Sequence, residues 1–370
     1  MRPKTTNTAA AASVRMPAEW EPHAATLLAW PANHQDWPGK FSAARWAFVE
    51  FVRHLAAVET VRLAVNNPSD EKTAKRMLSN AHVSVDAVEF LPFPLDRSWM
   101  RDISPCFVVD KQGRKSCVRF QFNGWAKYDN YKQDALWAAA IADRLGAPVT
   151  EATHAGKGIT LEGGALDGNG RGSLITTEEC LLDQQCQVRN PGFDKKTYEK
   201  CFRKYLGITN VVWLNKGIVG DDTHGHADDL CRFVNPTTVV CCRENNAEAP
   251  NYTALEENWE RLHEARLENG SKIQTVALPM PVPLYFKNVL LPASYANFYI
   301  TNGSVLVPTF NDPNDRIALG ILAELFPDRQ IIGIHAVALV WGFGTLHCLS
   351  HEEPATQASS PPRYKKINHR

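Results

Sequence analysis

The chain has 370 residues, 44% of them hydrophobic and 22% charged, with 10 Trp and 16 Phe. At about 150 residues per domain this length allows two or three domains, although closed α/β architectures spend as much chain around one core, and the apolar content excludes a disordered or fibrous protein. Forty Lys and Arg balance forty Asp and Glu, so no bulk electrostatic attraction draws the molecule to nucleic acid or to an anionic membrane.

From the N-terminus, residues 1–15 are polar and aperiodic, without the apolar stretch of a signal peptide, and are expected to be loose. Short apolar runs of β character then alternate with helical patterns: TLLAW, VRLAV, CVRFQF, SLITT, VVWL, TTVVCC, IQTVAL, SVLVPTF and QIIGI. Among the helices, Phe48, Phe51, Val52 and Leu55 share one face. Weaker patterns lie near Asp134–Leu145 and Lys195–Tyr205. A later helix carries Leu255, Trp259 and Leu262 and is expected to stop near Gly270. The last places Ala318, Ile321, Leu322 and Leu325 on one stripe, with Asp312 as N-cap, Pro313 opening the helix and Pro327 ending it. The later helices recur at roughly sixty residues, a spacing that suggests repeated α/β modules. The longest apolar run, Ile331–Leu346, is interrupted by His335 and three glycines and falls short of a bilayer span. Nine scattered cysteines with no C-x-x-C pair read as reduced thiols. A cytoplasmic protein is expected, with one folded domain over residues 16–355 and a loose tail over 356–370.

Four segments carry polar residues that packing does not require. Trp99-Met100-Arg101-Asp102 pairs an anion with an aromatic wall suited to a cation, or is a surface loop. Leu161-Glu162-Gly163-Gly164 can bring backbone close to a ligand and present Glu162, or is an ordinary turn. Asp221 to Asp229 holds four carboxylates and two imidazoles in nine residues. Alternation along an extended chain would put His224, His226 and Asp228 on one side. That set suits a metal-bound water or a metal-free site with one proton-transferring His and one cation-binding Asp; the competing view is a solvated acidic loop. Last, Gly342-Phe343-Gly344 leads to Cys348, which is a nucleophile or a small buried hydrophobe.

These segments occur in the order, and with the flanking words, of the agmatine deiminase and bacterial-type peptidylarginine deiminase family. MPAEWEPHAATLLAWP, WMRDISP, FNGWAKYD, LEGGALDGNG, LITTEECLLD with Arg189-Asn190-Pro191, GHADD and LHCLSHEEPA all resemble it, over about Met16 to Ala355. The resemblance implies a single-domain, five-bladed pseudo-symmetric α/β propeller of the pentein type with its site on the central axis. It implies Cys348 as nucleophile, His226 as general acid/base, Glu162 as the carboxylate at that His, and Asp102 and Asp228 as the guanidinium clamp. Trp99 falls at the pocket wall and Asp222 at the distal amine. The expected substrate is a small guanidine, agmatine first and free or peptidyl arginine second, with no metal or cofactor and no nucleic-acid or membrane partner. The Trp and Phe content suits a homo-oligomer interface as well as it suits a core. A metallohydrolase built on His224, His226 and Asp228, or a non-catalytic cation-binding protein, are the readings from other classes. Phe343 in the glycine run, Asp229 where Asn is common, and Ile103-Ser104 in place of Thr-Gly depart from the family pattern, at positions that bear on substrate more than on chemistry.

Overall fold

The computed structural model describes residues 14–356; segments 1–13 and 357–370, and with them most of the two expected loose ends, lie outside the described residues. Every run read as a strand overlaps one, wholly or mostly in all but CVRFQF, where the strand Lys115–Arg119 ends after the run's third residue. The strands assemble into five sheets of three or four strands, beside two small hairpins. Four sheets share one pattern, an antiparallel pair joined to a parallel pair. They are Cys106–Val109, Lys115–Arg119 and Val149–Glu151; Asp167–Gly168, Ser173–Thr177 and Asn210–Leu214; Cys231–Asn235, Thr238–Arg243 and Gln274–Pro279; and Tyr299–Ile300, Ser304–Thr309 and Gln330–His335.

Parallel neighbours need a long crossover, and a helix supplies it in each case: Asp134–Arg144, Lys195–Leu206, Tyr252–Glu264 and Asp315–Leu325. The fifth sheet joins the two ends of the chain. Its strand His23–Ala29 pairs in parallel with Val61–Val65, and Ser350–Pro354 returns to lie antiparallel on its other side. Residues near Glu19 thereby meet those around Cys348, so the last strand sets up the site.

The helical stripes bury as expected in Phe41–Ala56, where Phe48, Phe51, Val52 and Leu55 are all buried. Two boundaries differ. The last long helix starts at Asp315 instead of Pro313. The Asp312 side chain accepts the Asn314 N–H at 2.8 Å, and its carbonyl accepts the Asp315 N–H, so residues 312–314 close a turn ahead of the helix. The helix with Leu255 and Leu262 ends at Glu264. Gly270 belongs to a separate tight turn with φ +83°, in which Leu267 accepts its N–H. Among the described residues no helix is long and apolar enough to cross a membrane.

Arg232 pins several modules together. Fully buried on its strand, it donates to Asp167 at 2.5 Å, to Glu19 at 2.7 Å and to the Phe298 carbonyl at 2.8 Å.

Candidate active site

Four short segments bring Cys348, Asp228, Asp102, His226 and Glu162 into one buried cluster, His226 and Asp228 coming from the same one. Cys348 lies on the single turn Leu346–Leu349, directly before the last strand. The Asn297 carbonyl oxygen organises this turn, accepting from the Thr345 hydroxyl at 2.7 Å and from the His347 N–H at 3.1 Å. Its amide nitrogen then faces the Cys348 Sγ at 3.1 Å and Asp229 Oδ1 at 2.9 Å. Gly344 leaves room for this packing: a Cβ there would lie 2.7 Å from the Trp99 ring and 3.2 Å from Sγ.

Asp228 follows His226 in the short turn Ala227–Asp229. Its Oδ2 accepts from His347 Nδ1 at 2.7 Å and lies 3.6 Å from the Cys348 sulfur, while Oδ1 is buried without a protein partner. The preceding loop is shaped by Asp221, whose Oδ2 accepts the N–H groups of Gly225 and His226, both at 2.8 Å. His224 and Gly225 take left-handed conformations, φ +66° and +91°. The chain is therefore not extended here, and His224 does not join His226. It pairs with Asp183 at 2.9 Å instead. This corrects the expected one-sided set of His224, His226 and Asp228. Among the described residues, the groups of three metal-ligand types whose atoms lie within 4.8 Å of one another are Glu162, Cys180 and His226, and Asp228, Asp229 and Cys348.

Asp102, on the turn Met100–Ile103, accepts from Trp125 Nε1 at 2.8 Å and from the Gly164 N–H at 3.0 Å. Glycine at 164 is required, because a Cβ would lie 2.5 Å from His226 Nδ1. His226 has Asp102 at 3.8 Å on one ring nitrogen and Glu162 at 3.8 Å on the other, and neither nitrogen is hydrogen-bonded. Glu162 is held from behind by Arg189 Nε at 3.1 Å, and Arg189 is anchored on the carbonyls of Gln187 and Thr223.

The electrostatics follow from burial and from these neighbours. Burial and the nearby Asp228 and Glu162 carboxylates, only partly offset by His226 and Trp125, raise Asp102 to about 6. Burial alone would raise Glu162, but Arg189 and His226 outweigh it and hold the carboxyl at about 2. Burial opposes charging His226, yet Asp102, Cys180 and Glu162 push it well above its ordinary value. Burial, then Asp228, Asp229 and Asp102, push the Cys348 thiol well up, so it is protonated before a cation arrives.

Trp99 is buried against Gly344, with Trp37 at 5.5 Å from its ring. Asp222 lies farther out, paired with Lys127 and accepting the Tyr128 hydroxyl at 2.6 Å. Sequence reasoning assigned no role to Asn297, Arg189, Trp125, His347 or Glu19. All but Asn297 stood inside the family-like words; Asn297 has no local signal at all.

A buried thiol flanked by carboxylates, facing an imidazolium with its own carboxylate, defines a site for covalent attack on a planar cation. The chain belongs to the Porphyromonas-type peptidyl-arginine deiminase family, whose model matches residues 15–354. Agmatine deiminase of Ectopseudomonas mendocina is 30% identical over 377 residues, covering 96% of this chain and 99% of the relative. The solved agmatine deiminase of Enterococcus faecalis superposes with a TM-score of 0.84 at 28% identity, covering 92% and 96% of the two chains. A cysteine-to-serine variant of the C. jejuni agmatine deiminase, solved with substrate bound, does so with 0.82 at 26%, covering 93% and 97%.

Proposed function

We propose that this protein hydrolyses agmatine to N-carbamoylputrescine and ammonia through a covalent intermediate on Cys348. It is a hydrolase acting on a linear amidine. The observation that carries the reading is the placement of Cys348 3.6 Å from Asp228, with Asp102 and His226 in the same buried cluster. The guanidinium lies between Asp102 and Asp228, which neutralise it and orient its carbon. Entry of this cation lets the thiol proton leave to bulk water, so that one positive charge replaces another.

The thiolate adds to the guanidinium carbon to give a tetrahedral adduct. No bond joins the thiol to His226 among the described residues, so His226 acts on the nitrogen side: as imidazolium it protonates a terminal NH2 group, which departs as ammonia while its C–N bond breaks. The neutral ring then takes a proton from water as its oxygen attacks the S-alkylthiouronium carbon. The C–S bond breaks as the remaining hydroxyl proton of the adduct passes to the departing thiolate, which regenerates the thiol and frees the neutral urea product. Glu162, pinned by Arg189, positions the imidazolium, and Trp99 walls the pocket.

The five similar sheets support a five-bladed pentein-type propeller formed by residues 16–355, and we place the protein in the cytoplasm as a homo-oligomer. Asp222 is the carboxylate for a distal ammonium. One feature favours a second substrate: Lys127 already sits on Asp222, which suits an arginine or arginyl main chain in place of the amine. Ammonia release from EDTA-treated protein separates these. Agmatine turnover without arginine turnover supports the first reading, the reverse supports the second, and silence on both, or loss of activity with EDTA, sinks both. Cys348→Ala is expected to lower kcat at least about a thousandfold with the melting temperature little changed.

A further inference from the structure

Behind the clamp runs a buried row of charged groups that the reaction above does not use. His347 Nδ1 is 2.7 Å from Asp228 Oδ2, and Nε2 is 2.8 Å from Glu19 Oε2. Glu19 in turn accepts from Arg232 at 2.7 Å, from Arg101 at 3.4 Å and, through Oε1, from the Ile300 N–H at 2.7 Å. Past His347 and Glu19 lies a cavity of about 60 Å³, also lined by His23, Arg101, His351 and Glu352.

We infer that His347, locked between Asp228 and Glu19, is a positioning residue that fixes the orientation and the charge of the guanidinium clamp. The inference rests on the guanidine reading above. An ionised carboxylate can only accept, so a ring between two of them must donate from both nitrogens. Such a ring occupies Asp228 Oδ2 and leaves Oδ1 as the oxygen open to substrate. Glu19 cannot swing away, because two arginines and a backbone N–H hold it. The ring is held at both nitrogens by these two carboxylates, and the His347 backbone N–H is tied to Asn297 Oδ1 at 3.1 Å, on the residue that faces the Cys348 sulfur. Nucleophile and clamp are thus set by one neighbouring side chain. The charged groups around His347 are Glu19 and Arg232 on its Nε2 side, Asp228 on its Nδ1 side, Arg101 at its carbonyl, 3.4 Å away, and His351 and Glu352 at the cavity.

The test compares alkylation of Cys348 by chloroacetamidine, which is cationic, with alkylation by neutral chloroacetamide of the same shape. The ratio of the two rates reports the anionic clamp and is insensitive to general loosening of the fold. Wild-type protein is expected to prefer the amidine. His347→Gln is expected to lose at least tenfold of that preference and to raise KM for agmatine more than it lowers kcat. Glu19→Gln, which leaves one carboxylate on the ring, is expected to shift both in the same direction by less. A ratio within twofold of wild type in either folded variant overturns the inference. Nitrogen-15 histidine NMR of unmodified protein covers the case in which neither variant folds: a His347 ring with one bare nitrogen overturns the inference, and two N–H groups uphold it. Absence of any amidine preference in the wild type overturns the guanidine reading itself, and this inference with it.

Discussion

On the mechanism proposed above, Asp102 is the residue on which the pH dependence turns. Its carboxylate must be ionised to take the guanidinium, and burial beside Asp228 and Glu162 raises it to about 6. The free enzyme's pH profile is therefore expected to show an acid limb near that value, because kcat/KM reports ionisations of unliganded protein. Trp125 Nε1 donates to Asp102 at 2.8 Å and favours the charged form, so Trp125→Phe is expected to move the acid limb upward and to weaken agmatine binding below it. An unmoved limb would show that another group controls it. At this scale the grouping was legible in the sequence, since the family-like words held Asp102, Glu162, His226, Asp228 and Cys348, which the fold brings together. What was hidden lies far away along the chain: Asn297 stands 51 residues from the Cys348 it orients, and Glu19 stands 328 from His347. Nothing local links either to its partner, because only the closing of the fold makes them neighbours.

At the scale of single elements, the site is assembled by loops whose backbones come within contact of side chains, and glycine marks those approaches. Gly344 is not in the left-handed region, so its backbone accepts a side chain. Its Cβ, however, would lie 3.0 Å from the Cys348 Cβ and 2.7 Å from the Trp99 ring. Gly344→Ala should thus move the nucleophile or its wall by a few tenths of an ångström or more while leaving the core intact. A loss in kcat/KM approaching 10²-fold, with a melting temperature lower by only a few degrees, is expected from kinetics and thermal melts. Near-normal kinetics would show that Trp99 gives way freely. Element reading from the sequence succeeded where period and burial agree, as in Phe41–Ala56. It failed in the loop 221–229, where polar alternation imitated a strand. There the Asp221 carboxylate gathers backbone N–H groups into a turn and His224 goes left-handed, a local choice that alternation does not encode.

For the molecule as a whole, buried carboxyls outside the sheets are expected to tune stability against pH in the direction opposite to activity. The sixty-residue spacing of helices hinted at repeated modules, but the closure of the fifth sheet by Ser350–Pro354 depends on a long-range pairing that no window of sequence contains. Asp134 is the clearest case. Its Oδ1 accepts the N–H groups of Asp96 at 2.8 Å and Arg97 at 3.2 Å, but Oδ2 is buried without a partner, and burial outweighs those two bonds to raise it to about 8. In the unfolded chain it ionises near 3.8, so between those values the fold holds an extra proton and stability falls as pH rises. Asp36, raised by burial to about 7, tilts the same way, and so does His226, whose stabilising charge is lost as pH climbs. Glu162, held at about 2 by Arg189 and His226 against its burial, supplies stability that is lost only as pH drops from the ordinary carboxylate range toward 2. His351, which burial lowers to about 4, opposes the trend only below its ordinary value of 6.5. Thermal melts from pH 6.5 to 8 should therefore show falling stability over the range in which the Asp102 acid limb makes the enzyme more active. Asp134→Asn keeps an oxygen for the two backbone donors and removes the ionisation. It is expected to cost about 1 kcal/mol throughout for its unpaired amide, while flattening the decline by an amount on the order of a few kcal/mol. An unchanged slope in the variant would mean that Asp134 is charged at neutral pH in the fold and that the decline originates elsewhere.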